Sequence, residues 1–210
     1  MIGQFTYSEI KSAYNEIKTI LSNVDLYVCG GFVPYLLLNE DSQRLHHDID
    51  CIVSLDDMDK IRNKLINTKY YIPNDDSINL VNNIDDYGLE VNINGITIGL
   101  YPYKLCNNKI YQYSYNADNK RFKIKILDDS LNNYLKQYKS YDGNIYKTIS
   151  LEYLRKSKEV ASRDKDLIDI VAIDKYGYDR NAYDNIRIPN PVNYQNKTLV
   201  EMKSKEKTGD

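Results

Sequence analysis

The sequence predicts an α+β (α/β) fold: a short mixed β-sheet flanked by helices, followed by a helical C-terminal segment. Three observations carry this expectation. Apolar residues recur at helical spacing near the start of the chain and again beyond residue 150. Between them, "LEVNI-NG-ITIGL" alternates apolar and polar residues around Asn94-Gly95, the strongest short hairpin signal. Two brief apolar runs, "DLYVC" and "DIDCIV", are too short for helices and read as buried strands.

Taken in order, Thr6-Tyr-Ser-Glu9 fits a capping box, and Ile10, Ala13, Ile17, Ile20 and Leu21 give a first helix running to about residue 22. The strand over 25–29 ends at Gly30-Gly31. "FVPYLLL" then restarts as a helix that tolerates Pro34 only in its first turn. Residues 39–47 read as a polar loop, 48–53 as a second strand, and Leu55 to Leu65 as a helix with Asp56, Asp57 and Asp59 at its start, where the helix dipole favours acids. After the Asn-Gly hairpin, "KIYQYSYN" and "RFKIKIL" predict another hairpin over Asp118-Asn119. "LEYLRKSKEVAS" and "KDLIDIVAIDKY" predict two helices, and the polar stretch after Gly177 predicts an extended or mobile tail. The organisation expected is a core over 1–125, a mainly helical segment over 126–180 and the tail over 181–210.

The chain has 210 residues, 42% hydrophobic and 28% charged, which suits a globular protein with a real core and excludes wholesale disorder. No apolar run reaches the length of a membrane span. Glu9, Lys11, Glu16 and Lys18 stand where a signal peptide would be apolar, so a cytoplasmic location is expected. Three cysteines without CxxC spacing read as free thiols. Net charge is −2 but unevenly placed: residues 1–119 hold 9 Lys/Arg against 16 Asp/Glu, whereas 120–165 hold 12 against 6. An acidic half beside a basic segment suits a metal site facing a polyanion such as a triphosphate, and equally a solvated basic surface.

Asp48 and Asp50 lie one residue apart in a strand and therefore share a face, with Ile49 and Cys51 on the other. Two carboxylates on one face repel unless a cation sits between them, and Mg²⁺ meets that need with oxygen ligands while bringing phosphates along. The plainer alternative is a pair at the solvated start of an edge strand. Gly30-Gly31 shifts the balance, because a glycine turn entering a helix presents backbone N–H groups to phosphate.

With these residues in place, the sequence resembles the nucleotidyltransferase superfamily (DNA polymerase beta-like), whose signature is a Gly-Gly turn followed by Asp-x-Asp. "RLHHDID" (44–50) looks most like aminoglycoside and lincosamide nucleotidyltransferases, "DYGLEVNINGITIGLYP" resembles their central strands, and "YLRKSKEVASRDKDLIDI" is similar to a helix pair found in related antibiotic and toxin-type enzymes. The resemblance implies that Gly30 and Gly31 hold triphosphate, that Asp48 and Asp50 ligate Mg²⁺, and that Arg44, His46, Lys158 and Arg163 bind the nucleotide. The third motif also marks Lys165, Asp166 and Asp169. The activity implied is Mg-dependent transfer of a nucleoside monophosphate from NTP, ATP first, to a small hydroxylated acceptor. A catalytically degenerate binding module and an RNA-modifying, toxin-like transferase are the alternatives.

One departure stands out. The family's third carboxylate falls by position at Gly99. The Asn94-Gly95 turn predicts Glu90 directly opposite Gly99, so Glu90 is the candidate substitute and a candidate catalytic base. Its alternative is a solvent-facing residue in a protein that has lost catalysis.

Overall fold

In a computed structural model, the description covers residues 4–42, 44–76, 88–106, 109–116, 121–127, 131–188 and 195–197. Helix α1 (Tyr7–Ile20) begins at the capping box: the Thr6 backbone N–H donates to Glu9 Oε2 at 2.8 Å, and Thr6 accepts from Glu9 N. Its inner face buries Ile10 and Ile17 completely, worth at most about 1.5–3 kcal/mol each. Strand β1 (Tyr27–Cys29) runs into a 3₁₀ turn over Gly30–Phe32 and then α2 (Val33–Leu38), with Pro34 in its first turn as predicted. Strand β2 (Asp48–Ser54) leads through a second 3₁₀ turn to α3 (Met58–Leu65).

Strands β3 (Tyr71–Asp76), β4 (Leu89–Ile93) and β5 (Ile96–Cys106) follow. Next come β6 (Lys109–Asn116) and β7 (Arg121–Leu127), antiparallel with Asn116 opposite Arg121, as the second hairpin predicts; its turn lies outside the described residues. A short α4 (Leu131–Tyr134) precedes the hairpin β8 (Leu135–Lys139) and β9 (Ile145–Ile149), which the sequence reading had not separated from the helical segment. Helices α5 (Leu151–Ala161) and α6 (Asp164–Tyr176) are the predicted pair. Within the segment read as a tail, Arg180–Asn185 forms α7 and Gln195–Lys197 forms β10 against β7.

The described strands make one mixed sheet in the order β10-β7-β6-β5-β2-β1-β9-β8, with β4 and β3 added beside β5. Two parallel pairings, β2 with β5 and β1 with β9, sit at its centre. Strand β5 changes partner along its length: Leu100 is its last residue paired with β4 and Tyr103 its first paired with β6. Pro102, which has no N–H to give a ladder, sits at that junction.

One face of the central strands carries Ile49, Cys51, Val91, Ile98 and Leu100, all fully buried, with α1 packed on β2 and β5. The other face carries Asp48, Asp50, Gly99 and Glu90. Helix α2 packs on α6, and α6 on α5. This places the C-terminal helices beside the glycine turn. Among the described residues, no helix is long and apolar enough to cross a membrane.

Candidate active site

The site begins at the end of β1. Gly30 adopts φ +77°, a left-handed conformation that side-chain-bearing residues rarely enter. Gly31 is fixed by space: a Cβ there would lie 1.7 Å from Arg44 Nη2 and 2.7 Å from Asp169 Oδ2. The register of β1 on β2 sets Cys29 opposite Asp50, and the Cys29 thiol donates to the Asp50 carbonyl at 3.3 Å. The second aspartate is thereby held against the glycine turn.

Asp48 is exposed and Asp50 half-buried, while Ile49 and Cys51 between and after them are fully buried, so the pair shares the open face. Asp50 lies opposite Gly99 of β5, and Gly99 lies opposite Glu90 of β4. The predicted pairing of Glu90 with Gly99 is therefore the observed one. Tyr101 folds back over the glycine: a Cβ at Gly99 would meet its ring at 2.5 Å, and its hydroxyl donates to Glu90 Oε1 at 3.1 Å. Burial, then the charges of Asp48 and Glu90, push the Asp50 carboxyl up to about 7, against a downward pull from Lys165.

Such crowding of carboxylates is the donor chemistry that a hard divalent cation relieves. Among the described residues, no group of three His, Cys, Asp or Glu side chains could hold a metal ion. Asp48 and Asp50 are the carboxylates that would hold such an ion.

Around this pair lies a polar cleft of about 310 Å³, into which eight of the nine predicted site residues are brought together. They are Gly30, Gly31, Arg44, His46, Asp48, Asp50, Lys158 and Arg163; Glu90 stands outside its lining, one strand beyond Gly99. The basic residues are not equivalent. Arg44 binds Asp169 through two parallel hydrogen bonds, Nε to Oδ1 at 2.9 Å and Nη2 to Oδ2 at 2.8 Å. Lys158 is buried and donates to Asp169 at 2.6 Å and Asp166 at 3.2 Å. Arg163 contacts Asp166 at 2.6 and 3.0 Å, and the same carboxylate accepts the Arg163 backbone N–H at the start of α6. Burial alone would raise the Asp166 carboxyl, but hydrogen bonds from Arg163 and Lys158 hold it down at about 2. Tyr35 completes the cluster by donating to Asp169 at 3.1 Å.

His46 is a buried residue that lines the cleft. It is 3% exposed, stands edge-on to Phe32 and Tyr35, and pairs Nε2 with the Ser42 hydroxyl at 2.9 Å. Burial, then the Arg44 charge, push its imidazole down to about 4, leaving it neutral at pH 7. Lys165, which the helix-pair motif marks, is exposed on the cleft and makes no ion pair among the described residues. Tyr101 escaped the sequence reading, although its position two residues after Gly99 puts it on the same strand face.

No family model matches the chain, and no curated protein matches it. A crystal structure of a "putative nucleotidyltransferase" from Thermotoga maritima is similar, with 16% identity and a TM-score of 0.45. The alignment covers 74% of this chain and 86% of that one.

Proposed function

We propose that the chain is a nucleotidyltransferase that moves a nucleoside monophosphate from an NTP, ATP first, to a hydroxyl of a small molecule and releases pyrophosphate. The observation that carries this reading is the register of β2: it sets Asp48 and Asp50 on one open face and fixes Asp50 against the Gly30-Gly31 turn. A carboxylate pair touching a glycine turn in a basic-lined cleft suits a metal-bound triphosphate.

In this reading Asp48 and Asp50 hold Mg²⁺, which when bound supplies charge neutralisation for the triphosphate. Gly30 and Gly31 leave the backbone open to phosphate oxygens, and Lys165 with the exposed side of Arg163 adds positive charge at the mouth. The acceptor oxygen attacks the α-phosphorus as its proton passes to the Glu90 carboxylate. The bond between the α-phosphorus and the bridging oxygen breaks, and pyrophosphate leaves with that electron pair. Arg44 and Lys158 act behind this layer: both are committed to Asp169, so they shape the cleft and set its field.

That commitment also favours a second reading, in which the cleft binds a nucleotide or a partner and performs no transfer. Calorimetric titration with each NTP, with and without Mg²⁺, followed by pyrophosphate release with an aminoglycoside and a lincosamide as trial acceptors, separates the two. Magnesium-dependent binding with release supports transfer. Binding without release from any acceptor leaves the binding module, and absence of nucleotide binding removes transfer and leaves only a partner-binding role. RNA as the acceptor would show as binding that weakens steeply with salt.

A further inference from the structure

Tyr101 belongs to no function so far assigned, yet the fold makes a slot for it. The ring lies over Gly99, where even a methyl group would overlap it at 2.5 Å. On its other side Gly88 has the same character: a Cβ there would come within 3.2 Å of Tyr101 Cδ1 and 2.6 Å of the Leu100 carbonyl oxygen. Gly99 on β5 and Gly88, just before β4, thus clear the space that lets a half-buried tyrosine double back along its own strand. What the ring reaches by doing so is Glu90, by a single hydrogen bond of 3.1 Å to Oε1. No described residue hydrogen-bonds the second Glu90 oxygen. Burial, then the charges of Asp50 and Glu90, raise the Tyr101 phenol, so it stays protonated and remains a donor at any working pH.

A glutamate on a three-strand row with Asp50 is repelled by it and, left alone, would swing toward solvent. A neutral donor anchored in the sheet opposes that swing without cancelling the charge. We propose that Tyr101 is a positioning residue, holding Glu90 on the Asp50 side of the sheet so that its second oxygen faces the acceptor hydroxyl. This rests on the transfer reading above. Gly99 then has a use of its own: the absence of a side chain there admits the tyrosine that directs the glutamate from the next strand.

The test is a double-mutant cycle with Tyr101→Phe, Glu90→Gln and the pair, read in two ways. In the metal-free protein, urea unfolding reports whether the two residues are coupled. In the Mg²⁺- and NTP-loaded protein, pyrophosphate release with the trial acceptors reports turnover. Tyr101→Phe keeps the ring and its packing, so it is expected to fold. It should lower kcat roughly tenfold with KM for the NTP changed less than twofold, and it should have no further effect once Glu90 is Gln. Gly99→Ala, which pushes the ring out of its slot, should reproduce the Tyr101→Phe loss.

A Tyr101→Phe protein with wild-type kcat, or one that loses kcat equally with and without Glu90, overturns the proposal while wild-type turnover keeps the transfer reading intact. Wild-type protein that binds nucleotide and turns over none of the trial acceptors instead removes the transfer reading, and the role of Tyr101 falls with it.

Discussion

Asp169 on α6 grips Arg44 in the loop before β2 through two parallel hydrogen bonds, and the guanidinium so held lies where the Cβ of any residue other than glycine at position 31 would be. One ion pair therefore joins the C-terminal helices, the approach to the aspartate strand and the glycine turn.

Breaking that pair from the acid side should be costly. Asp169 is fully buried, and its loss strands Arg44 and leaves Lys158 with Asp166 as its remaining acidic partner. Asp169→Ala is expected to lower unfolding free energy by about 3–5 kcal/mol, as removal of one partner from a buried pair does. Urea unfolding measures it; a loss below about 1 kcal/mol would show that the cluster is not closed in solution.

Gly31→Ala makes the companion prediction from sterics. The added methyl meets the guanidinium, so either Arg44 leaves Asp169 or the turn shifts. A stability loss of about 1–3 kcal/mol is expected, together with weaker nucleotide binding. An alanine protein that melts with wild type would place Arg44 elsewhere.

For Asp50 the sign runs against the usual carboxylate. Its folded-state pKa, about 7, lies above the ordinary value of 3.8, so the stabilisation from its protonated form is complete below about pH 4 and lost as pH rises through 7. The groups facing it are Asp48, Glu90 and Lys165, with Tyr101 and Cys51 also within its field. In EDTA, Asp50→Asn should melt above wild type at pH 7–8, with the gap narrowing toward pH 4. Adding Mg²⁺ should close the gap at pH 8 by stabilising wild type alone. A gap that widens on acidification would refute the assignment.

Asp48 and Lys165 test the cleft without disturbing the fold, because both are exposed. Asp48→Ala and Lys165→Ala should each change stability by no more than about 0.5 kcal/mol. Asp48→Ala should abolish Mg²⁺-dependent nucleotide binding, and Lys165→Ala should weaken it roughly tenfold. Isothermal titration against ATP decides both. Unchanged affinity in either would move the phosphate away from that side chain.

What the sequence made legible was local. The capping box at Thr6, the Asn94-Gly95 turn and the 3.6-residue spacing in α5 and α6 each depend on neighbours within a few residues, and all are observed. The turn even fixed Glu90 opposite Gly99, since hairpin register follows from turn length. Relationships between distant segments were not legible. Arg44 and Asp169 are 125 residues apart, and each alone reads as an ordinary surface charge. Strands β8 and β9 went unseen because "LKQYK" and "IYKTI" are brief, and their strand state rests on pairing with each other and with the distant β1. Tyr101 was hidden by its rotamer, which carries no mark in the residue order.

The parallel pairing of β1 with β9 also bears on how the protein is made. Val28 finds Thr148 only after the whole intervening chain has been synthesised, and Arg44 waits longer still for Asp169. At ribosomal speeds of about 5–20 residues per second, the nascent chain carries an uncovered strand edge and an unmatched arginine for on the order of ten seconds. Long-range parallel pairing is slow to close even afterwards. The cleft is thus among the last parts of the molecule to exist, so a chain halted before α6 would carry both aspartates and the glycine turn with no helix pair beside them.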